Sequence, residues 1–309
     1  MTSLHSLFDL QFLMFAEMAA GFLLSRIGVI KSSGKSTLSS LAMNLFLPCS
    51  IVAAFNMEMS AGRLMGFARI LLAAILTEAG SILISRFCYN RIEKGKKEIY
   101  QYATVVSNAG FLGNAVAEGV YGAEGLMFGQ VCVIPFRIAM WTAGVSYLSP
   151  RQDRRKGLLK LLRHPCIIAT EIGLLRMIFS IPFPAVIDKT LVSLGRCTTP
   201  VIMLFLGVVI AETGFRGIVS RHTVLLSVIR LILIPAAVLL GCRLAGMESL
   251  EAGIAVLLAA MPVGSTTAIL AQEYGADVEF AADSVAFSTL LSIALLPLWV
   301  YLLRLAFPV

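Results

Sequence analysis

Small polar residues interrupt two apolar runs of this chain at corresponding places. The first interruption reads Val106-Ser107-Asn108-Ala109-Gly110-Phe111-Leu112-Gly113-Asn114, and Val120-Tyr121-Gly122-Ala123-Glu124 follows it. The second reads Ala260-Met261-Pro262-Val263-Gly264-Ser265-Thr266-Thr267, followed by Glu273-Tyr274-Gly275-Ala276-Asp277. Gly and Pro inside an apolar helix release backbone N–H and C=O groups, which are costly in hydrocarbon unless they face protein, water or ligand. Two such breaks expose helix N-termini whose partial positive charge suits a carboxylate, and interrupted spans in corresponding halves are the sequence mark of a carrier's binding site. The candidate substrate contacts are therefore Asn108, Gly110 and Asn114 in the first break and Pro262, Gly264, Ser265, Thr266 and Thr267 in the second, with Ser107 beside them. Amides and hydroxyls can hold an organic anion or coordinate Na⁺ through oxygen. The competing reading is close helix packing through small residues. Pro48 and Pro200 interrupt two further runs and read as kinks or hinges that shape a cavity.

Several ionisable residues fall inside apolar runs, where each costs about 2.5–3.5 kcal/mol at a helix centre and so must face protein or water. Arg137 is the candidate for an anionic substrate, because a guanidinium matches the fork of a carboxylate. Glu17 and Glu78 are candidate proton carriers, since a carboxyl withheld from water favours its protonated form. Arg230, Glu171, Arg176, Arg196 and Glu118 also lie in or near apolar runs. For all of these, neutralisation in structural ion pairs is the alternative.

The elements that position these residues follow from hydropathy. Hydrophobic residues make up 58% of the 309 and charged residues 14%, with a mean hydropathy of +0.87, far from the quarter charged of a soluble domain. The chain reads as an all-α polytopic membrane protein, with ten spans at about 8–27, 37–57, 65–86, 99–120, 126–148, 164–182, 190–211, 222–244, 251–273 and 284–304. No cleavable signal peptide is evident, because the first apolar stretch carries Glu17 and lacks a small-residue cleavage site. Cations crowd the loops after odd spans: Arg86, Arg91, Lys94, Lys96 and Lys97 after the third, and Arg151, Arg154, Arg155, Lys156, Lys160 and Arg163 after the fifth. The positive-inside rule places those loops in the cytoplasm and both termini outside it, so the chain is expected in the cell (inner) membrane. The basic loop at 150–163 divides a first five-helix repeat, 1–149, from a second, 164–309. An odd number of spans before the division inverts the second repeat. Tyr121-Gly122 and Tyr274-Gly275 lie 153 positions apart and Pro48 and Pro200 lie 152 apart, which supports that inversion. The fold expected is two inverted five-helix repeats with broken, crossing helices four and nine.

Other classes are weaker. The net charge of +7 would suggest nucleic acid in a soluble chain, but here it sits in short loops. His5, His164 and His222 form no metal spacing, no phosphate-binding GxxxxGK[ST] loop occurs, and the six cysteines make no CxxC pair. Neither an enzyme, a cofactor nor a metal is expected. A membrane sensor remains as a different class, though the chain shows no soluble output domain.

At this point the residues resemble a family. Ser107 to Gly113 with Tyr121-Gly122, and Ala260-Met261-Pro262 with Glu273-Tyr274-Gly275, are similar to the fourth- and ninth-span signatures of the auxin efflux carriers. Leu45-Phe46-Leu47-Pro48, His164-Pro165 and Thr199-Pro200 with Leu206-Gly207 fit as well, so the resemblance covers nearly the whole chain. It implies a ten-span inverted repeat with crossing helices four and nine, akin to bile-acid and Na⁺/H⁺ antiporter architectures, and transport of organic anions such as malonate, malate or indole-acetate. It further implies that Asn108 stands where an asparagine of the plant carriers meets the substrate carboxylate, and that Pro262 is the proline of the ninth-span crossing. Arg137 departs from the neutral polar residue common there, and the basic turn replaces the long central loop of many plant carriers. Both departures favour a bacterial-type organic-acid permease.

The reading is a secondary carrier moving a small carboxylate by alternating access, with H⁺ or Na⁺ as coupling ion, the lipid bilayer as surroundings and a homodimer as a candidate assembly. A Na⁺-coupled symporter of related fold is the alternative. Its topology is testable directly. With the six native cysteines replaced, a cysteine at Gln152 is expected to resist an impermeant thiol reagent in intact cells and to react after permeabilisation; labelling of intact cells would reverse the orientation.

Overall fold

The computed structural model describes residues 4–57, 60–148, 163–212 and 218–307. Residues 150–162 of the expected cytoplasmic loop, with its basic run, lie outside the described residues. Every named element is helical. In chain order they are α1 (Leu4–Arg26), α2 (Ser32–Leu41) continuing through a π turn (Ala42–Phe46) into α3 (Leu47–Ala54), α4 (Ala61–Phe87), α5 (Lys96–Val105) and α6 (Leu112–Ala139). A second π turn (Met140–Gly144) leads to α7 (Val145–Leu148). Then come α8 (Pro165–Ile178), α9 (Ala185–Gly195), α10 (Thr198–Glu212), α11 (Arg221–Val228), a third π turn (Ile229–Leu233), α12 (Ile234–Leu244), α13 (Ser249–Ala259), α14 (Thr266–Tyr274) and α15 (Val278–Ala306). Among the described residues, six helices or helix runs are long and apolar enough to cross a membrane.

Prolines set the irregularities. A proline ring clashes with the carbonyl four residues back and offers no N–H, so a helix must widen, kink or restart around it. Before Pro48 the helix widens into the first π turn, where the Asn44 side-chain amide donates to the Ser40 carbonyl at 2.8 Å. Pro235 follows the third π turn in the same way, and the carbonyl four residues before it, on Leu231, accepts from Trp299 Nε1 at 2.8 Å. Pro200 acts differently. The expected span at 190–211 is two helices, α9 and α10, and the restart at Thr198 puts Pro200 in the first turn, where no intrahelical N–H is needed.

The chain forms two compact units. The first comprises 1–64, 114–130 and 162–214. Its packing is set by glycines that let backbones touch: Gly21 lies against the Leu204 carbonyl, and Gly207 against the Met18 carbonyl, which joins α1 to α10. Ion pairs inside it are Arg176 with Asp188 at 2.7 Å, Lys35 with Glu212 at 2.6 Å, and Arg63 with Glu124 at 3.6 Å. Arg176 also stacks over Phe183 at 4.3 Å.

The second unit comprises 65–113, 131–161 and 215–309. Its core gathers Tyr89, Ile99, Tyr100, Tyr102 and Val105 with Leu226, Val263, Leu270, Phe280 and Val285. The tyrosines bury their rings and keep a hydrogen bond each, as amphipathic aromatics must. Tyr89 meets Thr104 Oγ1 at 2.7 Å, Tyr100 donates to the His222 carbonyl at 2.9 Å, and Tyr102 meets Thr266 Oγ1 at 3.1 Å. Arg69 pairs with Glu248 at 2.8 Å and Glu251 at 3.4 Å.

The repeated Tyr-Gly-Ala-acid motif has a backbone cause. Gly122 takes φ 66°, ψ −158° inside α6, a conformation closed to residues with a Cβ, and there the helix doubles back. Gly125 of the returning arm touches the Ala117 carbonyl, and a methyl on Gly129 would lie 3.6 Å from both Ala117 Cβ and Asn114 Oδ1. Gly275 closes α14 in the left-handed conformation at φ 69°, and Asp277 then caps α15, its Oδ1 accepting from Phe280 N at 2.9 Å. Gly122→Ala is expected to destabilise the purified protein by about 1–3 kcal/mol. Gly80→Ala, on α4 with open space around the added methyl, should leave stability unchanged or raise it by about 0.4–1 kcal/mol. Thermal melting in detergent compares the two, and equal effects would remove the special role of Gly122.

Candidate functional site

Both predicted interruptions are real breaks, and they meet inside the second unit. Helix α5 ends at Val105, and Val106 and Ser107 are extended, with φ/ψ of −103°/107° and −101°/169°. A single 3₁₀ turn, Asn108–Gly110, then leads to α6. Helix α13 ends at Ala259, and the chain from Ala260 to Ser265 runs to the start of α14. The two non-helical pieces pair as an antiparallel bridge between Ser107 and Val263. Asn108 N donates to the Pro262 carbonyl at 2.8 Å, and Gly264 N donates to the Val106 carbonyl at 3.1 Å. Val263 N donates to Ser288 Oγ of α15 at 3.1 Å. Several backbone groups that each break would strand in hydrocarbon are thus satisfied by the other break, or by a serine from a third helix.

Residue types follow from this pairing. Pro262 needs no acceptor for a backbone N–H and presents its carbonyl to Asn108. A methyl on Gly264 would lie 3.2 Å from the Ser107 carbonyl oxygen and 3.2 Å from Val106 Cγ1, so the close backbone approach favours glycine there. A methyl on Gly113 would lie 3.1 Å from Met261 Cγ. Ser107 Oγ accepts from Ala109 N at 3.4 Å, starting the 3₁₀ turn, and Thr267 N donates to the Gly264 carbonyl at 2.9 Å, starting α14.

The breaks bring opposite helix ends together. Helices α5 and α13 end here with their partially negative carbonyls, while α6 and α14 begin here with their partially positive N–H groups. Arg137 joins them from the far arm of α6: its guanidinium lies 3.5–3.6 Å from where a methyl on Gly110 would stand, and the residue is buried. The second unit therefore collects Asn108, Gly110, Pro262, Gly264, Ser265, Thr266, Thr267 and Arg137. Asn108 is 6% exposed and Thr267 fully buried, whereas Ser265 and Thr266 are half-buried. The arrangement offers an amide, hydroxyls, helix N-termini and a guanidinium within one protein-lined region. Groups of these types can donate hydrogen bonds to, and balance negative charge on, a ligand or the protein itself.

The other predicted residues lie elsewhere. Asn114 belongs to the first unit, fully buried beside Gly129. Pro48, Pro200 and Glu17 are also in the first unit. Glu118 there accepts from Ser50 Oγ at 2.8 Å. Glu78 is buried on α4 in the second unit, and the guanidinium that bears on it electrostatically is that of Arg230. Sequence reasoning assigned no role to Arg230, Tyr102 or Ser288. Arg230 alone left a signal, as a lone cation within the apolar run Leu225 to Leu233. Among the described residues, no group of three or more His, Cys, Asp or Glu could hold a metal ion.

This geometry agrees with the comparisons to known proteins. A family model described as membrane transport protein matches residues 5–157 and 149–300. The chain belongs to this family, the auxin efflux carriers. An uncharacterized transporter of Methanocaldococcus jannaschii is 25% identical over 297 residues, covering 92% of this chain and 94% of that protein. An uncharacterized transporter of Escherichia coli is 24% identical over 303 residues, covering 93% and 95%. A Rhizobium meliloti protein named "Putative malonate transporter" is 27% identical over 142 residues, covering 46% and 44%. As a member of the auxin efflux carrier family, the chain is a membrane transporter with several apolar helices.

The side chain of Asn108 can be separated from its backbone, which alone holds the bond to Pro262. Asn108→Ala is expected to abolish binding of an organic-anion substrate while elution profile and melting temperature stay near wild type. Retention of wild-type affinity in the purified variant would remove Asn108 from the site.

Proposed function

We propose that this auxin efflux carrier family member is a secondary active transporter that moves a small organic anion, a C3–C4 mono- or dicarboxylate such as malonate or malate, by alternating access. The observation that carries the reading is the mutual pairing of the two breaks, with the Arg137 guanidinium beside Gly110. Helix N-termini, Asn108 and Arg137 together are complementary in charge and hydrogen bonding to a carboxylate. The same fixed cation opposes Na⁺ at that point, which favours the anion over the symporter alternative in which Ser265, Thr266 and free carbonyls coordinate the ion. The Rhizobium relative's name is in line with this substrate class.

Many secondary carriers are inverted repeats, and we read this chain as a ten-span one. Each of the ten apolar stretches coincides with a helix, an arm of a helix or a pair of half-helices, and the two glycine reversals repeat at Gly122 and Gly275. Both compact units draw helices from both halves of the chain, 1–149 and 164–309, as an interleaved repeat would. In this reading both termini are extracytoplasmic in the cell membrane, Pro48 and Pro200 act as hinges, and H⁺ or Na⁺ supplies the driving force.

Proteoliposomes test the function. Labelled malonate, malate and indole-acetate are offered while pH and Na⁺ gradients are imposed separately. Accumulation or exchange of a C3–C4 carboxylate above empty liposomes is expected; failure of all three under both gradients would overturn the reading. Arg137→Gln should weaken binding by about tenfold or more, the 1.5–3 kcal/mol of a charge-assisted bond. Adding Glu78→Gln should not restore it. Rescue by that second substitution would show that Arg137 serves a buried carboxylate instead.

A further inference from the structure

Away from the breaks, the second unit contains a buried pair of opposite charges that the anion site does not use. Arg230 is fully buried and Glu78 is 4% exposed. Each bears on the other electrostatically. Yet neither Glu78 oxygen meets a hydrogen-bond donor, and Arg230 Nε and Nη2 meet no acceptor. The guanidinium reaches in another direction: Nη1 points to the Thr104 carbonyl at 3.4 Å, a long and weak bond. Thr104 lies in the last turn of α5, two residues before the extended segment that pairs with Pro262 and Gly264. Carbonyls there form the partially negative end of a half-helix, a natural seat for a cation.

Arg230 thus feels Glu78 electrostatically and reaches the end of α5 only through a long bond. It also sits on a π turn, Ile229–Leu233, whose Leu231 carbonyl is held by Trp299. Such widened turns are the places where a helix most readily changes register. Of the other titratable groups, Cys132 of α6 interacts electrostatically with Glu78 and with Cys242 of α12, and Tyr89 does so with Arg230. Ordinary thiol and phenol pKa values of about 8.5 and 10 leave these neutral at and below neutral pH.

We propose that Glu78 is a proton-binding site and that Arg230 relays its charge to the helix break. With Glu78 ionised, the guanidinium swings to the carboxylate and leaves the end of α5. With Glu78 protonated, it closes onto the carbonyls of that end and holds the break in its paired form. The proton enters and leaves at a Glu78 carboxyl oxygen, and no other bond is made or broken. Arg230 is thus a positioning residue acting on the break, and Glu78 is the coupling group. The proposal rests on the carrier reading for its use in transport, but the switch itself can be tested without substrate.

The test uses the purified full chain with its six cysteines replaced and Ser107→Cys as a reporter in the break. The labelling rate of that cysteine by a thiol reagent, corrected for the thiolate fraction with a small-molecule thiol, is measured between about pH 5.5 and about pH 8.5. A corrected change of about tenfold is expected, as a state populated roughly one part in ten becomes the major one. Glu78→Gln should lock the rate at its acid value, and Arg230→Gln should remove the pH response. The double variant Glu78→Gln with Arg230→Gln carries no buried charge, so it decides the matter if a single variant fails to fold; it too should be pH-independent. A pH response that survives Glu78→Gln, or its absence in the reporter protein, would overturn the proposal. Protection of the same cysteine by malonate is read in parallel. Loss of protection with an intact pH response would count against the carrier reading and leave the proton switch standing.

Discussion

An unpaired peptide group has nowhere to go in hydrocarbon, and the second unit is organised around that constraint. Breaking a membrane helix releases several N–H and C=O groups, each worth several kcal/mol if left dry. Here two breaks share the burden. The bonds from Asn108 N to the Pro262 carbonyl and from Gly264 N to the Val106 carbonyl turn two faults into a short antiparallel ladder. Once that ladder exists, half-helix ends of both signs are fixed within one region, and polar side chains at the breaks can be committed to a ligand. Without it, Asn108 and its neighbours would be needed to cap the backbone.

The surrounding helices show how closely this region is supported. Ser288 of α15 holds Val263 N, Tyr102 of α5 meets Thr266 at the start of α14, and small residues at 113 and 264 let the strands approach. At Pro235 the preceding π turn widens the helix, and the carbonyl freed four residues back, on Leu231, is held by Trp299. The first unit uses another device, glycine-mediated backbone contact between α1 and α10 at Gly21 and Gly207.

Charge follows the same economy. Arg176 and Arg69 meet acids at 2.7 Å and 2.8 Å and read as structural pairs. Arg137 lies at the break, beside Gly110, and Arg230, which bears on Glu78 electrostatically, reaches the Thr104 carbonyl at the end of α5. These last two cations lie near helix ends that meet at the paired breaks.

Much of this was legible in the chain itself. Long continuous apolar runs specify helices in a membrane, because a closed barrel would alternate polar and apolar residues and an open backbone would leave polar groups unsatisfied, and the all-helical structure follows. Gly, Pro and small polar residues at 106–114 and 260–267 locate the breaks, since those types cannot continue an apolar helix without cost. The signatures around them identify the family. What sequence could not decide is partnership. That Asn108 bonds Pro262, that Ser288 reaches Val263, or that Asn114 belongs with Gly129 in the other unit depends on contacts between residues 15 to 154 positions apart. Local spacing carries no information about such contacts. Arg230 is the clearest case: its residue type announced a buried charge, but only the tertiary structure brought it to the Thr104 carbonyl, 126 positions away, at the end of a broken helix.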